Sequence, residues 1–163
     1  MRNRFSILFV LAATLFACNS DSMINEDINK AEVEAPIKIK RVEGTFLLGG
    51  NATCNTLYAE GEGIVSRLGL SALVEQWCWN GDPEDVGARS IVFTAANGDE
   101  LWGFHNSVVW TSPNESFVET LTFAGGTGRF ENASGEFTEY VEIEFTGQFS
   151  GTFVLSGEGT LKY

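Results

Sequence analysis

From residue 37 onward no stretch of ten or more residues keeps an apolar period near 3.6. Apolar and polar positions instead alternate with period two between Gly, Asn, Asp and Pro punctuation. The alternation predicts eight strands, at Lys40–Leu48, Leu57–Ser66, Leu70–Trp79, Arg89–Ala95, Glu100–Trp110, Ser116–Phe123, Ser134–Phe145 and Phe149–Leu161. Eight strands at meander spacing predict an all-β, antiparallel, closed barrel over residues 37–163. Gly81-Asp82-Pro83, Asn97-Gly98-Asp99 and Ser112-Pro113-Asn114 mark turns, and Asn97-Gly98 is the strongest hairpin signal. Glycines two apart, Gly61 with Gly63 and Gly157 with Gly159, leave short stretches of a strand face bare. Aromatic side chains of adjacent strands can cover such stretches and let a barrel curve.

The first 36 residues follow a different pattern. Arg2 and Arg4 precede an apolar run from Phe5 to Phe16, too short to span a bilayer as a helix and suited to an export signal. Residues 1–17 are read as a signal peptide. Residues 18–36 are polar and acidic, a composition that cannot offset its ordering entropy, and are read as a flexible tether.

Composition sharpens the picture. At 44% hydrophobic and 20% charged, the chain of 163 residues can bury the core of one domain. Its 22 acidic residues against 10 basic ones, two of which lie in the leader, exclude nucleic acid as a partner and argue against docking on anionic lipid through a basic patch. Export into an oxidising compartment favours a disulfide between Cys54 and Cys78. The bridge would close a loop of 25 residues and contribute roughly 3.5 kcal/mol on the chain-entropy model. With a single histidine in the chain, a cysteine nucleophile or a zinc site lacks its usual companions, and no metal or cofactor is expected.

Three resemblances add to this reading. Leu15-Phe16-Ala17-Cys18 resembles the lipobox of bacterial lipoproteins, which implies acylation of Cys18, attachment to a membrane through that lipid and a place in the cell envelope. Asn19 after the cysteine makes the outer membrane the expected one. Asp21-Ser22-Met23 is similar to a short acceptor for O-glycosylation at Ser22. Gly125-Gly126-Thr127-Gly128-Arg129-Phe130, followed by Ala133-Ser134-Gly135, resembles the hairpin of allene oxide cyclase-like barrels, a group that includes the dirigent proteins. Thr94-Ala95-Ala96-Asn97-Gly98-Asp99 and the ending Gly157-Glu158-Gly159-Thr160-Leu161 are similar to stretches of bacterial members. That likeness implies an eight-stranded barrel able to hold a small apolar molecule, and in plant members cyclisation or steering of radical coupling. Only the hairpin carries over, and its role is architectural. A phosphate-binding reading of the same glycines fails because no helix follows the loop.

Several side chains could carry chemistry. A hairpin centred on Arg129 sets Leu121 opposite Phe137 and Glu119 opposite Glu139, each glutamate on an otherwise apolar face. Facing carboxylates in an apolar lumen would share a proton, the arrangement of an acid/base pair. A bulge or a solvated rim would separate them. His105 alternates onto the face opposite Trp102 and Phe104 and is expected half exposed on the wall. Trp102, Phe104, Val108 and Trp110 of the fifth strand, with Trp77 and Trp79 of the third, are read as core, as the lining of a ligand cavity or as a partner surface. The acidic loop residues Asp82, Glu84, Asp85, Asp99 and Glu100 lack calcium-loop spacing and are read as solvated.

The expectation is a lipid-anchored β-barrel that binds a small apolar ligand, with oligomerisation through the wall open to it. The alternatives are a cofactor-free isomerase or cyclase using Glu119 and Glu139, and a surface module that acts through a protein partner.

Overall fold

A computed structural model describes residues 33–50, 55–79 and 90–163. Eight antiparallel strands run β1 (Glu34–Gly50), β2 (Asn55–Val65), β3 (Gly69–Trp79), β4 (Ser90–Ala95), β5 (Glu100–Ser112), β6 (Ser116–Gly126), β7 (Ser134–Phe145) and β8 (Ser150–Lys162). Each pairs with the next, and β8 returns to β1, closing the barrel. Every expected strand is present and most boundaries agree within a residue or two.

The largest difference is β1, which begins inside the segment read as tether. Its exposure alternates from the start, with Ala35, Ile37 and Ile39 buried and Glu34, Pro36, Lys38 and Lys40 outward. Up to Lys38 only β8 lies beside β1, so Pro36, which has no N–H, sits where one ladder suffices. A register shift between Ile39 and Arg41 then changes the parity, and Val42 and Phe46 point inward instead of odd-numbered residues.

The barrel is plugged at one end. Gly128–Phe130 forms a turn of 3-10 helix between β6 and β7, and it drives Phe130, fully buried, into the end of the barrel beside Tyr163. Phe93, Leu101, Phe123, Phe137 and Leu161 fill the interior above it. Here the Asn97-Gly98 turn meets the Gly125–Phe130 hairpin. Thr127 N–H donates to the Glu100 carbonyl at 2.9 Å, Glu100 N–H donates to Thr127 Oγ1 at 2.9 Å, and Arg129 lies 3.6 Å from the Asp99 carboxylate. A Cβ on Gly128 would collide with that carboxylate, and the backbone there is left-handed at φ +57°. The Asn97-Gly98 hairpin forms as expected, but as a three-residue loop: Ala95 N–H donates to the Asp99 carbonyl and Gly98 takes φ +87°.

Gly157 of β8 is roofed by Phe137 of β7, the expected pairing of glycine with a neighbouring aromatic ring. A Cβ there would stand 2.5 Å from the Thr138 carbonyl oxygen and 2.6 Å from the ring. Gly157→Ala is therefore expected to destabilise the barrel by about 1–3 kcal/mol, read as a lowered urea midpoint, as overpacking of a filled core does.

Candidate functional site

Halfway along the barrel, the inward positions of four strands carry ionisable side chains. Glu75 comes from β3, His105 from β5, Glu119 from β6 and Glu139 from β7, all buried. Glu119 and Glu139 are directly opposed, and Leu121 faces Phe137, as the hairpin centred on Arg129 requires. His105 is not on the outer wall. It is 5% exposed, and its imidazole reaches across the lumen. Nε2 lies 2.9 Å from Glu119 Oε2, 3.2 Å from Glu139 Oε1 and 3.4 Å from Glu75 Oε1.

The bulges of β5 explain why His105 points inward. Register shifts fall between Leu101 and Gly103, between His105 and Ser107, and between Trp110 and Ser112. Before the middle shift the odd positions Leu101, Gly103 and His105 face the lumen. After it the even positions Val108 and Trp110 do. The single face assigned to Trp102, Phe104, Val108 and Trp110 is thus split in two. Trp102 and Phe104 stand on the outer wall, 39% and 52% exposed, while Trp110 turns toward the open end.

Above the cluster the barrel opens into a cavity of about 160 Å³. Its walls are apolar, with Phe46, Leu57, Trp77, Trp110, Phe117 and Val141 among them, and Glu75 and Glu119 form its acidic floor. Trp77 and Trp110 are the two expected ligand-contacting residues that reach it. Trp79 ends β3, and its side chain lies outside the described residues. So do Cys18, Ser22, Cys54, Asp82, Glu84 and Asp85. Cys78 lies one residue before the end of β3, opposite Thr56. Gly125, Gly126, Gly128, Arg129 and Phe130 all belong to the plug at the far end.

Burial sets the electrostatics. Desolvation pushes the Glu139 carboxyl up to about 8, partly countered by its hydrogen bond to His105 and reinforced by the charges of Glu119 and Glu75. For His105 burial acts to lower the pKa, but the charges of Glu75 and Glu119 and the hydrogen bonds to Glu119 and Glu139 outweigh it, and the imidazole is held protonated well above its usual range. Among the described residues, the buried atoms His105 Nδ1 and Glu139 Oε2 have no hydrogen-bond partner. One nitrogen and three carboxylate oxygens, all within 4.8 Å of one another, also make a donor set that could hold a cation.

Neither Glu75 nor His105 was singled out with the carboxylate pair by its sequence. For Glu75 a signal existed, because it shares the parity of Leu73 and Trp77. For His105 the signal was hidden by the bulge two residues on. No protein-family model, no curated protein and no solved structure matches the chain.

Both pKa shifts are upward, so the folded state holds these protons more tightly than the unfolded chain. The stability Glu139 contributes is complete below about pH 4.5 and is lost as pH rises through about 8, and the His105 contribution is likewise lost at high pH. With EDTA present, urea midpoints are expected to fall from pH 5 to pH 9. Glu139→Gln is expected to flatten that fall and to raise the midpoint more at pH 8 than at pH 5.

Proposed function

We propose that this protein is a lipid-anchored envelope barrel whose open end binds a small, mainly apolar molecule. The observation that carries the reading is the cavity: among the described residues, one end of an otherwise filled barrel, aromatic and aliphatic on its walls, with two carboxylates on its floor. Its volume is close to that of an engineered core cavity that takes up benzene, about 150 Å³. The occupant is therefore a single ring or a short chain, and larger molecules would project from the mouth. A hydroxyl or ammonium group at its inner end would donate to Glu75 or Glu119, so the favoured class is a phenol, an aromatic amine or a short amphiphile.

The same floor supports a second reading, a cofactor-free isomerase or cyclase. Carboxylates fixed in a dry pocket stabilise positive charge that develops on a bound molecule, and the pocket walls hold that molecule in one conformation. The closed eight-stranded topology and the glycine plug are in keeping with an allene oxide cyclase-like relationship. Acylation of Cys18, residence in the outer membrane, a Cys54–Cys78 bridge and O-glycosylation at Ser22 belong to the same proposal and rest on the sequence.

Titration of small phenols and aromatic amines into the full-length chain in detergent is expected to change tryptophan fluorescence saturably, through Trp77 and Trp110. Val141→Trp, which fills the cavity, is expected to abolish the change while leaving the protein folded. Absence of saturable binding, or binding unaffected by Val141→Trp, overturns the cavity reading. If a molecule retained by the protein is converted to an isomer by the wild type and not by Glu119→Gln, the enzyme reading replaces the carrier reading. Cys18→Ser is expected to move the protein from the membrane fraction to the soluble fraction.

A further inference from the structure

We propose that Glu75, His105, Glu119 and Glu139 form a binding site for one divalent first-row transition cation at the floor of the cavity. It does not depend on what occupies the cavity above.

The geometry has the form of a coordination cage. In a tetrahedral zinc site with metal–ligand distances near 2.1 Å, neighbouring donor atoms lie about 3.4 Å apart, and adjacent donors of an octahedral site with the same distances lie about 3.0 Å apart. The separations from His105 Nε2 to the three carboxylate oxygens, 2.9, 3.2 and 3.4 Å, span both values. Nε2 carries at most one hydrogen, yet three acceptors gather on it.

A second observation points the same way. Glu139 is wholly buried, places Oε1 3.2 Å from His105 Nε2 and, among the described residues, has no hydrogen-bond partner for Oε2. A carboxylate in that position either keeps its proton or meets a cation, and a cation can engage both of its oxygens. Glu75 and Glu119 alone outnumber the single imidazole, and a doubly charged ion offsets their charge. An entry path exists, because Glu75 and Glu119 belong both to the cluster and to the open cavity.

The donor set selects the ion. One imidazole and three carboxylates suit borderline and moderately hard divalent cations, with zinc and manganese the best fits, and disfavour the soft ions that need thiolates. Side chains on the rigid strands of a closed barrel define the cage, and the cavity side leaves room for water or a ligand atom as a further donor. Among the described residues His105 Nδ1 lacks the acceptor that usually steadies a metal-bound imidazole, so the site is weaker than a closed structural zinc site.

The test is calorimetric titration of the full-length chain, in detergent and stripped of metal by a chelator, with Zn2+ and Mn2+ separately. One equivalent of at least one ion is expected to bind and to raise the melting temperature. Glu139→Gln and His105→Asn are each expected to weaken binding beyond the ~10–100-fold loss that outer-shell changes cause, and to remove the thermal shift. Glu139→Gln replaces a ligating carboxyl by an amide of the same shape, which guards against a variant that fails to fold, and Glu119→Gln is the reserve. The proposal is overturned if neither ion binds saturably, or if binding and thermal shift persist unchanged in these variants. No organic ligand enters the experiment, so its result stands whichever way the fluorescence titration falls.

Discussion

Three carboxylates and one imidazole meet inside a barrel where each ionised group has lost most of its water. Such a group is tolerated only when paired, protonated or bound to a cation. The imidazole hydrogen-bonds to Glu119 and Glu139 and meets Glu75 with charge, and burial already pushes Glu139 toward its neutral form. Had selection been for stability alone, apolar residues at these four inward positions would have filled the space with less strain.

The rest of the barrel is arranged to make that placement feasible. Phe130 and its neighbours seal one end, and among the described residues the lumen opens toward the other. The bulge after His105 reverses the facing of β5 midway, and this lets one strand supply both an interior imidazole and, further up, the Trp110 wall of the cavity. Polar chemistry at the floor and apolar walls above it give any bound molecule a preferred direction of entry.

Much of this organisation was legible from residue order. Strict alternation fixed the strand count, because a half-buried strand must place every second side chain inward. The opposition of Glu119 and Glu139 followed from one turn centre and the antiparallel rule. His105 was misplaced for a physical reason: a bulge adds one residue to one strand, and a period of two then flips every side chain beyond it. The same event split Trp102 and Phe104 from Trp110. The start of β1 was obscured by Pro36 and by the acidic residues around it, which read as tether although Ala35, Ile37 and Ile39 keep perfect alternation. Convergence of Glu75 on the pair was harder to foresee, since it depends on how far around the barrel β3 and β7 face each other.

Closure of the barrel joins the first described strand to the last, with Glu34 paired to Lys162. This ladder spans nearly the whole domain in sequence, and the loop entropy of such a contact makes it slow to form. Until β8 is in place, both β1 and β7 present open edges able to recruit another chain. The barrel therefore cannot be completed from its N-terminal end during synthesis, and a chain cut short before β8 would carry all four residues of the buried cluster yet lack the wall that encloses them.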